Sequence, residues 1–307
     1  MINIFEGDLL PMTVWAKRAE DRFAQWATGK IDGVSTGFKT LDPYLRMVNS
    51  EYTLIAARPS MGKTSLGMQL AENVAKNLQA CGDNGCAAIF SAEMSGTELT
   101  IRMVAAMAGI NAHALRNGYG KPDEFIAARD AAQRIGKLPI WIDDSTGPTT
   151  ATMLQRLDEL NKTTPVRMML FDFVELGGDK AANEEQRISH IHTHLKGIAK
   201  TLNIPVIGLS QLNREVDKRA DKMPQLADLR YSGMGEQIAD KVVFIMRPEY
   251  YIERQQALEV PEADRKGVAY VLTAKNRNGP VGMVRMAYVK ERSMFGDLQV
   301  ERVELNG

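Results

Sequence analysis

The chain has 307 residues, and its 38 lysines and arginines are balanced by 38 aspartates and glutamates, with 44% hydrophobic and 25% charged positions. That length accommodates one large α/β domain or two small ones, and the composition is that of an ordinary globular protein. Neutrality excludes a global basic field as the means of holding nucleic acid and leaves only local groups, such as those lining a ring's channel.

The first residues, "MINIFEGDLLPM", carry Glu6 and Asp8 and show no basic segment followed by an apolar one, so no secretory signal is expected. No apolar run approaches the length of a bilayer span, so the cytoplasm is the expected location and no membrane partner is expected. Residues Thr13–Thr28 read as an amphipathic helix, with Trp15, Ala19, Phe23 and Trp26 at three- and four-residue spacing. Such a stripe either folds back on the core or anchors a second subunit, and both remain open here. Residues 1–30 thus form an arm with a helix, and 31–307 the main domain.

From Tyr52 the pattern alternates strand and helix. "YTLIAA" is a strand, Ser65–Leu78 a helix, "AAIFSAE" a strand, and Gly96–Ala108 a helix. "PIWIDD", "RMMLFDF" and "PVIGLSQ" are further apolar strands, with a long helix between the last two, and "KVVFIM", "VAYVLTAK" and "VGMVRMAYV" close the series. Apolar strands alternating with helices predict an α/β fold with a mainly parallel sheet covered on both faces. The close spacing of the last strands predicts an antiparallel edge. "ERQQALEVPEADRK" reads as a charged loop, and Cys81 and Cys86, in the turn-like "CGDNGC", are too few for a zinc site and read as reduced bystanders.

"AARPSMGKTS", Ala56–Ser65, has the form of a phosphate loop in which Ala57 stands where the usual pattern has glycine. Such a loop binds phosphate because successive backbone N–H groups and the positive end of the next helix converge on it. Residues Ala57, Arg58, Pro59, Ser60, Met61, Gly62, Lys63, Thr64 and Ser65 are the candidate nucleotide-binding set, with Lys63 for the β- and γ-phosphates and the Thr64 hydroxyl for Mg²⁺. Alanine suffices at 57 if its φ stays negative. Asp172, at the end of "RMMLFDF", is placed to support the metal through its water shell. Glu93 and Gln211 end two other strands at the same edge, where open α/β sheets bind ligands. Each is either a catalytic group, base or γ-phosphate sensor, or a plain polar strand end. Lys275 and Arg277 in "AKNRNGP" are either a solvated rim or cations for a neighbour's γ-phosphate. His190 and His194 have a spacing that zinc can use, but no third ligand is evident and the pair reads as solvated or facing a subunit.

"ARPSMGKT", "FSAEM", "LSQLNREVDKR", "DLRYSGMGEQIAD" and "AKNRNGP", with "STGFKTLD" upstream, resemble in order and style the DnaB-type replicative helicases. The resemblance covers nearly everything from Ile31 onward, and that family commonly has Ala-Arg-Pro-Ser at the phosphate loop. It implies a RecA-like ATPase core in a hexameric ring, using ATP and Mg²⁺, encircling one strand of single-stranded or forked DNA and moving 5′ to 3′. It implies Lys63, Thr64 and Asp172 as phosphate and metal residues, Glu93 as the base, Gln211 as the link from the γ-phosphate to the DNA loops, and Lys275 and Arg277 as acting on the adjacent subunit's nucleotide. It further implies Arg230, Tyr231 and Gly233 as contacts to the DNA backbone, the Thr13–Thr28 helix as a linker docking on the neighbour, and a helicase loader as a partner.

Three features depart from the family pattern. Tyr231 replaces the usual glutamate, Met234-Gly235 a more usual Ser-Ile, and Glu175 the usual glutamine. Tyr231 could stack on a base or pack between subunits. "GGDKAANEEQ" and "REVDKRADKM" are either channel-facing or solvated loops. The family's N-terminal helical domain has no counterpart in these residues, so a trimmed chain or a short phage or mobile-element form is expected, and a primase partnership less so. The competing functions are a recombinase-like or clock-type ATPase with the same core, against which "DLRYSG" and "AKNRNGP" argue, and a short helicase-like protein that co-assembles with a host helicase, against which Glu93 argues.

Overall fold

The computed structural model describes residues 9–29, 32–229 and 233–298. The elements in chain order are α1 (Met12–Ala27), α2 (Asp42–Leu45), β1 (Tyr52–Ala57), α3 (Lys63–Ala80), β2 (Cys86–Ser91), α4 (Gly96–Ala108), α5 (Ala112–Arg116), α6 (Pro122–Ile135), β3 (Ile140–Asp143), α7 (Thr150–Asn161), β4 (Val166–Asp172), α8 (Glu184–Leu202), β5 (Val206–Gln211), α9 (Gly233–Ile238), β6 (Lys241–Met246), α10 (Pro248–Ile252), β7 (Val268–Asn276), β8 (Gly282–Val289) and β9 (Met294–Asp297). The strands form one sheet in the order β3-β2-β4-β5-β1-β6-β7-β8-β9. Pairing from β3 across to β6 is parallel, and from β6 to β9 antiparallel, as the sequence pattern predicts.

The strands read as unbroken apolar runs because both faces are covered. In β1, Ile55 and Ala57 join the core beneath α3, α4 and α6, whereas Tyr52, Leu54 and Ala56 join the second core beneath α7 and α8. All six residues of β1 are buried. β1 lies between β5 and β6, so the loop leaving its end opens at the middle of the sheet's carboxyl edge.

The predicted elements are present, with α3 beginning two residues earlier, at Lys63. The second strand ends at Ser91, two residues short of Glu93. There the Ser91 hydroxyl donates to the Met94 carbonyl (2.7 Å) and accepts from the Met94 N–H (3.2 Å), closing a turn, and Ser95 caps α4. Periodicity did not reveal α5, α6, α7, α10 or β9, all short or only weakly apolar. The charged 253–266 segment contains one 3₁₀ turn, Glu262–Asp264, whose Asp264 is buried and bonded to Tyr270 and Arg285.

Helix α1 does not fold back on the core. None of its residues is buried, and Trp15, Phe23 and Trp26 remain about half exposed. An ion pair from Arg22 to Asp32, 2.7 Å, joins it to the body.

Candidate active site

The phosphate loop takes its shape from two residues with positive φ, Ser60 (67°) and Gly62 (92°), and Ala57 is not one of them. Ala57 is the last residue of β1, in register with Gln211 and Ile245, so alanine is sufficient there. Gly62 is required on a second ground: a Cβ at that position would lie 3.0 Å from the Phe295 ring and 3.1 Å from that of Tyr288. Met61 is 1% exposed and serves the core, so from Ala57 to Ser65 it alone does not line the cleft. Arg58 faces the cleft, yet its guanidinium donates to Asp217 (3.0 and 2.7 Å) and to the Leu212 carbonyl (3.0 Å). It therefore staples the loop to the segment after β5.

Arg247, directly after β6, is a loop-holding residue that sequence reading missed. It is 5% exposed, donates to the Ser60 carbonyl (2.9 Å) and lies 3.8 Å over the Tyr288 ring. A single arginine after an apolar strand gives no signal in sequence; only packing brings it under the loop.

Lys63 and Thr64 open α3 beside Asp172, the last residue of β4. Thr64 Oγ1 donates to Asp172 Oδ2 (2.8 Å), and Lys63 Nζ lies 3.6 Å from Asp172 Oδ1 and 4.0 Å from the centre of the Phe173 ring. Asp172 is 1% exposed, and its Oδ1 has no hydrogen-bond partner among the described residues. A hydroxyl beside a carboxylate with acceptor capacity to spare is a hard-oxygen donor set of the kind Mg²⁺ prefers, so these residues fit that ion.

Lys63 and Thr64 line a cleft of about 800 Å³ whose lining also includes Glu93, Gln211, Arg102, His113, Arg116 and Arg292, with Asp172 buried behind them. Glu93 is exposed and forms no hydrogen bond or ion pair among the described residues, which leaves its carboxylate available. Gln211 is held from behind: its N–H donates to Glu175 Oε1 (3.0 Å), which also accepts from the Ser210 hydroxyl (2.5 Å).

Lys275 and Arg277 lie at the opposite, amino edge of the sheet, where Val242 pairs with Lys275. Lys275 Nζ donates to the Glu236 (2.5 Å) and Gln237 (3.2 Å) carbonyls at the end of α9. Arg277 donates to the Gln237 carbonyl and lies 3.5 Å from Asp240 Oδ1. Partial burial first, and then the Arg277 charge, hold the Lys275 ammonium below the usual lysine pKa. Neither residue is near Lys63 of its own chain. Gly233 is the exposed first residue of α9, whereas Arg230 and Tyr231 lie outside the described residues.

The two mixed-charge loops are tied to other segments of the chain. Asp179 accepts from the Thr150 N–H (2.9 Å), Asp217 receives Arg58, and Arg219 pairs with Asp228. The His pair has a structural neighbour: His194 Nδ1 is 2.7 Å from the Thr150 hydroxyl. Between them in sequence, His192 is 1% exposed, hydrogen-bonds the Tyr52 hydroxyl (2.8 Å), and is pushed down to a pKa of about 4 by burial. Burial, and after it the Glu175 charge, push the Tyr52 hydroxyl well above the usual tyrosine range.

A phosphate loop after the central strand of a parallel sheet, with Lys63-Thr64 at the helix start and a buried aspartate two strands away, defines a P-loop nucleotide-binding domain of RecA-like type. The chain belongs to the DnaB-like helicase C-terminal domain family, which it matches over residues 33–297. It is 36% identical over 278 residues to the replicative DNA helicase DnaB of Geobacillus stearothermophilus, covering 88% of this chain and 58% of that protein. To the DnaB of Rickettsia prowazekii it is 39% identical over 286 residues, covering 88% and 59%. The chain thus spans somewhat under three fifths of the curated relatives it matches. Among solved structures, a DnaB-like replicative helicase described with its primase interactions superposes with a TM-score of 0.80 at 30% identity, over 96% of this chain and 68% of that one. A solved ATPase domain is matched along its whole length, with a TM-score of 0.81 and 32% identity over 95% of this chain.

Proposed function

We propose that this chain is the motor of a ring-shaped replicative DNA helicase, one that hydrolyses ATP to move 5′ to 3′ along single-stranded DNA and part a forked duplex in the cytoplasm. The observation that carries the reading is that Lys63 and Thr64, both engaging the buried Asp172, line one cleft with the braced Gln211 and with Glu93, which has no partner among the described residues. Membership of the DnaB-like family supplies the class of work.

In this reading the backbone N–H groups of residues 60–65 and Lys63 hold the β- and γ-phosphates. Thr64 and Asp172 would hold Mg²⁺, which when bound neutralises charge on those phosphates. Water attacks the γ-phosphorus, the bond to the β–γ bridging oxygen breaks, and Glu93 takes the proton from the water. Gln211 contacts the γ-phosphate. Lys275 and Arg277 face a second copy, where they would offset transition-state charge on that subunit's nucleotide. Arg230, Tyr231 and Gly233 would grip the DNA backbone, which needs no net positive charge when a few contacts repeat around six subunits. Helix α1 would dock on the neighbour, and a loader would place the ring on DNA.

The test is ATP hydrolysis with and without single-stranded DNA, beside solution mass, for wild type and Lys63→Ala. DNA-stimulated turnover by a ring-sized species, lost in the variant, is the expected result and leads to a forked-duplex unwinding assay. A monomer with negligible turnover on DNA would mean that this chain alone is not the motor.

A further inference from the structure

The parallel ladder between β4 and β5 stops before the strands do. Its recorded pairs are Met169 with Val206, Leu170 with Ile207 and Phe171 with Gly208, so Leu209, Ser210 and Gln211 run past the end of that pairing. On the other side β5 stays paired with β1 as far as Ala57 and Gln211. This is the splayed tip at which an open α/β sheet makes its ligand crevice, and it leaves polar groups of β5 without a strand partner on the β4 side.

One carboxylate fills that gap. Glu175 sits in the 3₁₀ turn Val174–Leu176, three residues beyond Asp172. Its Oε1 accepts from both the Ser210 hydroxyl (2.5 Å) and the Gln211 N–H (3.0 Å). The turn is itself held, because Arg187 donates to the Glu175 carbonyl (2.8 Å) and to the Gly177 carbonyl. The second carboxylate oxygen, Oε2, is buried and has no hydrogen-bond partner among the described residues, so both bonds to β5 run through Oε1. Charge-assisted bonds of this kind are short and directional, and a group held at its backbone N–H and at the preceding side chain has little freedom to swing.

We propose that Glu175 is a positioning residue for γ-phosphate recognition: it replaces the missing ladder at the tip of β5 and so fixes where the Gln211 amide enters the cleft. The proposal rests on the nucleotide-site reading above and adds to it a residue that never touches nucleotide. It also ties the two segments around the cleft together, since Asp172 and Glu175 leave the same strand end.

The test is a binding experiment that needs no turnover. The affinities of a non-hydrolysable ATP analogue and of ADP, each with Mg²⁺, are measured for the full chain as wild type, Gln211→Ala, Glu175→Ala, the double variant, Glu175→Gln and Lys63→Ala, with the melting temperature of each. Gln211→Ala should lower the preference for triphosphate over diphosphate about tenfold, the scale of one hydrogen bond to a charged group. Glu175→Ala should reproduce that loss, and the double variant should lose no more than either single one, because both remove the same contact. Glu175→Gln keeps an acceptor oxygen for Ser210 and Gln211 and should stay within about threefold of wild type. Additive losses, an unchanged preference in Glu175→Ala, or equal weakening of ADP and triphosphate binding would overturn the proposal. If Glu175→Ala does not fold, Ser210→Ala, which removes one of the two bonds, must show a partial loss of preference for the proposal to stand. If Lys63→Ala binds triphosphate as tightly as wild type does, the nucleotide site lies elsewhere and both readings fall. Loss in Lys63→Ala alone keeps the site and removes Glu175.

Discussion

At the carboxyl edge of the parallel strands, Thr64, Lys63 and Asp172 engage one another, and Arg58, Arg247 and Glu175 brace the backbone that carries the site. At the amino edge, the candidate groups Lys275 and Arg277 have no phosphate loop of their own chain within reach. Lys275 and Arg277 cap the carbonyl end of α9, and Arg277 is also drawn to Asp240, which holds Lys196 at 2.6 Å. Close by, the buried Lys241–Glu51 pair seals the sheet. The first edge brings its groups together inside one chain. The second has cations on a helix end, with the Arg277 side chain 46% exposed, and under the proposed function they would serve another copy. In the proposed function, a hydrolytic centre divided in this way would couple turnover to assembly.

The strongest way to break that comparison is to separate the edges genetically. Arg277→Ala is expected to cut DNA-stimulated turnover by about 10³-fold or more, as loss of a trans-acting arginine does. Mixed with Glu93→Gln chains, the Arg277→Ala chains should regain part of the activity, since some interfaces then combine two intact halves. No regain in mixtures whose subunit exchange is verified would place both edges' functions in one chain. Next in size, Glu93→Gln alone should lower turnover by about 10²- to 10⁴-fold while nucleotide affinity stays near wild type, the pattern of a lost general base. A parallel loss of affinity would make Glu93 a binding group.

A smaller effect is expected at α1. Replacing Trp15 and Trp26 together by Ala should shift solution mass from a ring-sized species toward smaller ones, at about 2–4 kcal/mol for each anchor side chain. The melting temperature of the dissociated chain should barely move, because neither residue is buried in it. An unchanged assembly would remove α1 from the interface. The last prediction concerns the scaffold. His192 has its pKa lowered to about 4 in the fold, so between the unfolded value near 6.5 and 4 the unfolded chain binds a proton that the folded chain does not. Stability should therefore be unaffected by this group above pH 6.5 and fall as pH drops toward 4, by about 3 kcal/mol in all. His192→Gln should flatten that part of a melting-temperature profile against pH. An equally steep profile in the variant would assign the slope to other groups.

Much of the carboxyl edge was legible because its signals are local. Gly62, Lys63 and Thr64 follow a strand at fixed spacing, and Asp172 ends a run of apolar residues. What was hidden there depends on residues distant in sequence. Arg247 reaches Ser60 across 187 positions, and Glu175 reaches Gln211 across 36. Glu93 was located by its motif, yet its place in a turn beyond the strand came from the Ser91 side chain, which periodicity cannot see. The helices α6 and α7 escaped because they bury only a few residues each, leaving a weak stripe.

The sequence by itself determined the fold class, the parallel-then-antiparallel sheet, the phosphate loop and the family, because strand apolarity, loop glycines and motif order are properties of neighbouring residues. Only the tertiary structure decided that Ala57 needs no glycine, that Arg58 faces Asp217, and that Lys275 and Arg277 stand at the far edge from Lys63. Those are outcomes of strand register and crossover geometry, in which side chains separated by tens to hundreds of residues compete for the same few ångströms.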